Sequence, residues 1–140
     1  VGLASSVDYC YATKHAAVKL SELAVGIGPC VVGPASERKL GLAGMSDLAI
    51  NATEWRSADW AFQRGLYNDI FEDAAAMDEA IEALVGRLLT KSVPAMRGLK
   101  KVFWEGTEHW GALLAERAAI SGELILSREA KDAINAFKKK

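Results

Sequence analysis

A carboxylate followed almost at once by two glycines and a proline limits what this chain can become. The stretch is Leu20-Ser21-Glu22-Leu23-Ala24-Val25-Gly26-Ile27-Gly28-Pro29. Before it, Ala16-Ala17-Val18-Lys19-Leu20 reads as a short strand, which Gly26, Gly28 and Pro29 break. The chain has to turn there, into a helix. Glu22 then lies where an extended segment ends, a place where a rigid fold can hold a side chain beside a ligand. That makes Glu22 the candidate for acid/base chemistry. On spacing alone, an ordinary solvated glutamate beside a turn is the simpler reading.

Strands and glycines lie in the first half of the chain, and helices fill the second. A short helix is expected over 2–7 and a strand over 8–12. The polar turn Thr13-Lys14-His15 follows, then a strand over 16–20 leading into Glu22. His15, alone in that turn, reads as exposed rather than catalytic. Two helices, over 30–40 and 42–50, part near Gly41, and Pro34 sets the start of the first. Residues 52–56 are extended. Ser57 caps a helix that Gly65 ends, and Leu66 to Phe71 is a strand. Trp55 and Trp60 read as packing residues.

The clearest helix runs from about Ala75 to Thr90. Met77, Ala80, Ile81, Leu84, Val85 and Leu88 share one face of it. Ser92 caps the next helix, with a stripe of Met96, Leu99, Val102 and Phe103. Another runs from about Glu108 to Ile125 with Trp110, Leu113, Leu114 and Ala118 inward. Ser127 caps the last, whose apolar face is Ala130, Ile134 and Phe137. The fold class is α/β, with a mixed core over 1–72 and a helical cap over 73–140.

The 140 residues suit a single domain with a core of its own. A formal net charge of -1 makes nucleic acid a poor partner. Lys138-Lys139-Lys140 reads as a complement to a helix dipole. Cys10 and Cys30 form no Cys-x-x-Cys pair and have no histidine cluster beside them, so no metal site is expected. They fit a reducing, cytoplasmic compartment. No apolar run reaches the roughly 18 residues of a membrane span. The sequence begins without Met, in what reads as the inside of an element, and shows no signal peptide. It is expected to be the C-terminal half of a longer protein.

Glu22, Gly26 and Pro29 match a Glu-x-x-x-Gly-x-x-Pro pattern. Val1-Gly2-Leu3-Ala4, then Asp8-Tyr9-Cys10-Tyr11-Ala12, match the helix and strand that precede that carboxylate. Ala58-x-x-Ala61-x-x-x-Gly65-Leu66-Tyr67-Asn68 matches an Ala-x-x-Ala-x-x-x-Gly-Leu-Val-Asn pattern. In this order and spacing, the chain resembles the crotonase superfamily of enoyl-CoA hydratases and isomerases. The resemblance covers nearly the whole chain. It implies a crotonase-like (ClpP/crotonase) fold. Residues 1–72 would be the end of the strand-helix spiral core, and 73–140 a cap that builds homotrimers or hexamers.

The resemblance also implies chemistry. The substrate would be an acyl-CoA, with coenzyme A part of the substrate and no further cofactor. Glu22 would be the general acid/base for adding water to a 2-enoyl-CoA through a thioester enolate. The family's backbone donors to the enolate oxygen lie before Val1, and the helix from Gly2 would point its positive end at that oxygen. Phe137 and Lys140 resemble the family's Phe-x-x-Lys that helps bind coenzyme A, and Lys100 is a further candidate.

Two departures stand out. Gly2 falls where typical hydratases carry a second glutamate, and Cys30 where many carry glycine. Gly2 together with Ser21-Glu22 is similar to hydratases of branched substrates, such as bacterial methylglutaconyl-CoA hydratases. Gly2 equally fits an isomerase with one carboxylate, or a scaffold domain that has kept the fold without catalysis.

Overall fold

The computed structural model describes residues 1–138. Lys140 lies outside the described residues. Gly2–Ser5 forms a single helical turn, α1. It ends sooner than the expected 2–7, and the Ser6 hydroxyl there donates to the Gly2 carbonyl at 2.8 Å, competing for the backbone.

Strand β1, Tyr11–Thr13, runs parallel to β4, Asp69–Phe71, with Tyr11 opposite Asp69. Both are shorter than the expected 8–12 and 66–71. The cause is Asn68. Its side-chain oxygen accepts from the Cys10 N–H at 2.8 Å, and its own N–H donates to the Cys10 carbonyl at 2.7 Å. A side chain thus closes the ladder where a strand residue would have extended it. Strand β2, Ala17–Val18, pairs antiparallel with β3, Arg56–Ser57. Of the expected extended run over 52–56, only Arg56 lies in a strand.

Helix α2, Gly33–Ile50, has Pro34 in its first turn. It is broken at Gly41 (φ 70°, ψ 164°), a left-side conformation that L side chains avoid. The two helices expected on either side of Gly41 are therefore present. In α3, Ala58–Gln63, the Ser57 hydroxyl accepts from the Trp60 N–H at 3.2 Å. Three more helices open on matching caps. Asp73 accepts from Ala76 in α4, Ala74–Leu89; Ser92 from Ala95 in α5, Val93–Phe103; and Ser127 from Ala130 in α7, Arg128–Phe137. Each such cap is worth about 1 kcal/mol. Helix α6, Trp110–Leu124, has no side-chain cap.

Leu48 and Leu66 are fully buried, with Leu40 and Met45 of α2 beside them. Ala58 and Ala61 let α3 approach this core closely. Trp60 packs against it, as expected. Trp55 does not: it is 63% exposed, with the Lys19 ammonium 4.5 Å over its ring. His15 is exposed.

The cap differs from the core. None of the described residues of α4, α5 and α6 is fully buried. Met77, Leu84 and Met96 are half-buried, whereas Leu99, Val102 and Phe103 of the expected inward stripe are exposed. Among the described residues of this half, only Ala130, in α7, is completely enclosed. No helix of the described residues is long and apolar enough to cross a membrane.

Candidate active site

Glu22 stands just past β2 and the buried Leu20, at the start of one 3-10 turn, Leu23–Val25. Its carbonyl accepts from the N–H groups of Val25 and Ile27, both at 3.1 Å. Gly26 ends the turn at φ 77°. A Cβ there would lie 2.8 Å from the Ala130 Cα, so glycine is required by the approach of α7 as well as by the turn. The backbone under Glu22 is thus held from below by the last helix.

The Glu22 carboxylate oxygen Oε2 is buried and has no hydrogen-bond partner among the described residues. Such an oxygen is unusual, because buried polar groups are normally paired. The half-buried carboxylate of Asp47 is, by contrast, spent. Asp47 receives Arg56 Nη2 at 2.6 Å and Nε at 3.1 Å, and those bonds hold its carboxyl below the usual carboxylate range. An unspent carboxylate oxygen shielded from water can exchange a proton with a bound ligand.

Helix α1 packs on α2. A Cβ on Gly2 would lie 2.7 Å from Val32 Cγ1, so Val32 fills the space a side chain at position 2 would enter. One turn further in, Ser5 and Ser36 are 3% and 0% exposed, and neither hydroxyl has a partner.

Lys100 is engaged elsewhere. Its Nζ lies 2.6 Å from Asp8 Oδ2, and the Trp104 indole N–H donates to Asp8 Oδ1 at 2.5 Å. Lys39 Nζ donates to the carbonyls of Val7 and Asp8. Partial burial pushes the Asp8 carboxyl up, but the bonds from Lys100 and Trp104 outweigh it and hold the group below its ordinary value. Burial pushes the Cys10 thiol up. Among the described residues no group of three His, Cys, Asp or Glu could hold a metal ion.

The model of the enoyl-CoA hydratase/isomerase family matches residues 1–140. The chain belongs to the enoyl-CoA hydratase/isomerase family. Solved structures agree on the fold. An enoyl-CoA hydratase/isomerase from Pseudoalteromonas atlantica superposes with a TM-score of 0.87 at 21% identity, over 99% of this chain and 56% of its own. An enoyl-CoA hydratase from Bacillus halodurans gives 0.83 at 20% identity, over 94% and 53%. A carnitinyl-CoA hydratase from Mycobacterium avium gives 0.79 at 23%, over 98% and 54%. The fold is therefore crotonase-like. The chain spans about half the length of these structures. No curated protein matches it.

In this enoyl-CoA hydratase/isomerase chain, the residues singled out from sequence separate into two places. Phe137 comes to the acid's own turn. It lines a cavity of about 560 Å³ together with Ser21, Val25, Lys19 and Ala133. Phe137 is 74% exposed, so its ring is open to a ligand. Lys100 belongs instead to the Asp8 cluster on α5. Val32, Ser5 and Ser36 had no signal in the sequence, and Ala130 had only that of an apolar helix face, because what each one meets is set by the packing of distant segments.

Proposed function

We propose that this chain supplies the acid/base to an acyl-CoA enzyme that adds water to a 2-enoyl-CoA. The observation that carries the reading is the buried, unpartnered Oε2 of Glu22 in a chain of this family. Water adds to the carbon two removed from the thioester carbonyl, and the carbonyl oxygen gains negative charge. Backbone N–H donors stabilise that charge in a water-poor site. These donors come from a further part of the protein, as the half-length match to the solved structures suggests. Glu22 takes a proton from the attacking water and returns one to the carbon beside the carbonyl. Phe137 offers a ring to the adenine of coenzyme A across the cavity at the Glu22 turn, with Lys140 as its charged companion. Lys100 serves coenzyme A only if Asp8 releases it.

A second reading has its own support. Val32 occupies the space where a second carboxylate would enter at Gly2. A single carboxylate suffices for an enoyl-CoA isomerase, which lifts a proton from one carbon and sets it on another.

The test is incubation of the protein, at its natural full length, with 2-enoyl- and 3-enoyl-CoA thioesters in heavy-oxygen water, with products read by mass. Labelled oxygen in the product of a 2-enoyl substrate is the expected result. A shifted double bond without added oxygen makes it an isomerase. No change in any thioester defeats both readings and leaves a scaffold role.

A further inference from the structure

Glu22 follows a strand only two residues long, and a ladder that short has little stability of its own. Something else has to fix where β2 points. The buried side chains of Val18 and Leu20 hold it against the core. Its paired edge is held by β3, where Ala17 lies opposite Ser57 and Val18 opposite Arg56.

Arg56 is itself held from another element. Its guanidinium donates to Asp47 on α2 through Nη2 at 2.6 Å and through Nε at 3.1 Å, one bond to each carboxylate oxygen. A forked pair of this kind fixes direction as well as distance. Asn51 Nδ2 donates to the same Asp47 Oδ1 at 2.7 Å, which leaves the carboxylate one orientation. The two charged side chains are 26% and 27% exposed, so solvent screens them less than a pair on the surface.

The residue before Arg56 makes a second tie to the same strand segment. The Lys19 ammonium lies 4.5 Å over the ring of Trp55. The dipeptide Trp55-Arg56 therefore meets two successive residues, Val18 and Lys19, just ahead of Glu22. An exposed indole and a spent aspartate, neither of which serves the core, find one explanation there.

We infer that Arg56 and Asp47 are positioning residues for the acid. The forked pair seats β3, β3 sets the register of β2, and β2 aims the Glu22 carboxylate. The inference rests on the reading of Glu22 as the acid/base and goes beyond it, to residues that act only through the strand. Neither Arg56 nor Asp47 lines the cavity at the Glu22 turn. Loss of the pair is therefore felt in the chemical step and not in binding.

The experiment uses the full-length protein and whichever enoyl-CoA it turns over, at a temperature where circular dichroism shows each variant folded. Arg56→Met keeps the stem and removes the donors. It should lower kcat about ten- to a hundredfold, the effect of moving a reacting group by roughly 1 Å. KM, and calorimetric affinity for a saturated thioester, should stay within about twofold. Arg56→Lys keeps the charge without the fork and should recover part of kcat. If Arg56→Met does not fold, Asp47→Asn, which keeps shape and removes the charge, takes the same measurements. An unchanged kcat per folded molecule, with only the melting temperature lowered, overturns the inference. So does a rise in KM at constant kcat. Glu22→Gln is measured alongside. Normal turnover in Glu22→Gln, or no turnover of any thioester by the unmodified protein, sinks the acid/base reading and this inference with it. Lost turnover in Glu22→Gln with normal kcat in Arg56→Met sinks the positioning alone.

Discussion

Glu22 has one carboxylate oxygen that touches no polar group of the described protein, and that oxygen is the centre of the proposed chemistry. Replacing Glu22 with Gln keeps size and removes the proton exchange. Turnover of an enoyl-CoA should fall at least about a hundredfold with little change in coenzyme A binding. Near-normal turnover in a stopped assay would remove Glu22 from the mechanism. Glu22, Gly26 and Pro29 were legible because they share one stretch, and their order fixes a turn. What closes around them was not. Val32 against Gly2 and Ala130 against Gly26 are contacts between distant parts of the chain, and such contacts leave no periodic trace. Trp55 shows the opposite failure: an indole normally packs, but here it stays largely exposed with only the Lys19 ammonium over its ring.

The helices were legible to within a residue or two where a cap and a periodic stripe coincide, as in α4, α5 and α7. The strands were not, because their lengths depend on what faces them. Asn68 shortens β1 and β4 by bonding through its side chain. The cap helix α5 is tied to the core by Asp8, which gathers Lys100 and Trp104. This tie has a definite pH dependence. Asp8 titrates below its ordinary value of 3.8 when folded. Its stabilising contribution is therefore present above that value, and it is lost as the pH falls through the lower folded value. Asp8→Asn should lower the denaturant midpoint at neutral pH, and the gap from the unmodified protein should close on acidification below about pH 4. A gap that stayed constant with pH would mean that the charge of Asp8 does not hold α5.

The 140 residues expose more surface than a compact monomer of their mass would. Their accessible area is 9130 Å², whereas a compact monomer of 15.0 kDa exposes about 7,000 Å². In the cap, Leu89, Leu99, Val102 and Phe103 face outward. Apolar surface of this extent marks an interface. We propose that it joins copies of the protein into a trimer or hexamer. Leu99→Asp with Val102→Asp should reduce the native mass to that of the monomer while leaving the helical circular dichroism in place. An unchanged native mass would assign the surface to another part of the same protein. Burial of this kind was not legible, since an apolar helical stripe looks the same whether its own core or a partner covers it.

The close approach of Ala130 to Gly26 has one more consequence, and it concerns the order in which the chain is made. Gly26 leaves the ribosome long before α7 does, so the loop that carries the acid waits, unbacked, while the rest is synthesised. A product cut short before α7 has every atom of Glu22 and none of the support beneath it. In the acyl-CoA reading proposed above, the docking of the last helix would complete the seat of the acid.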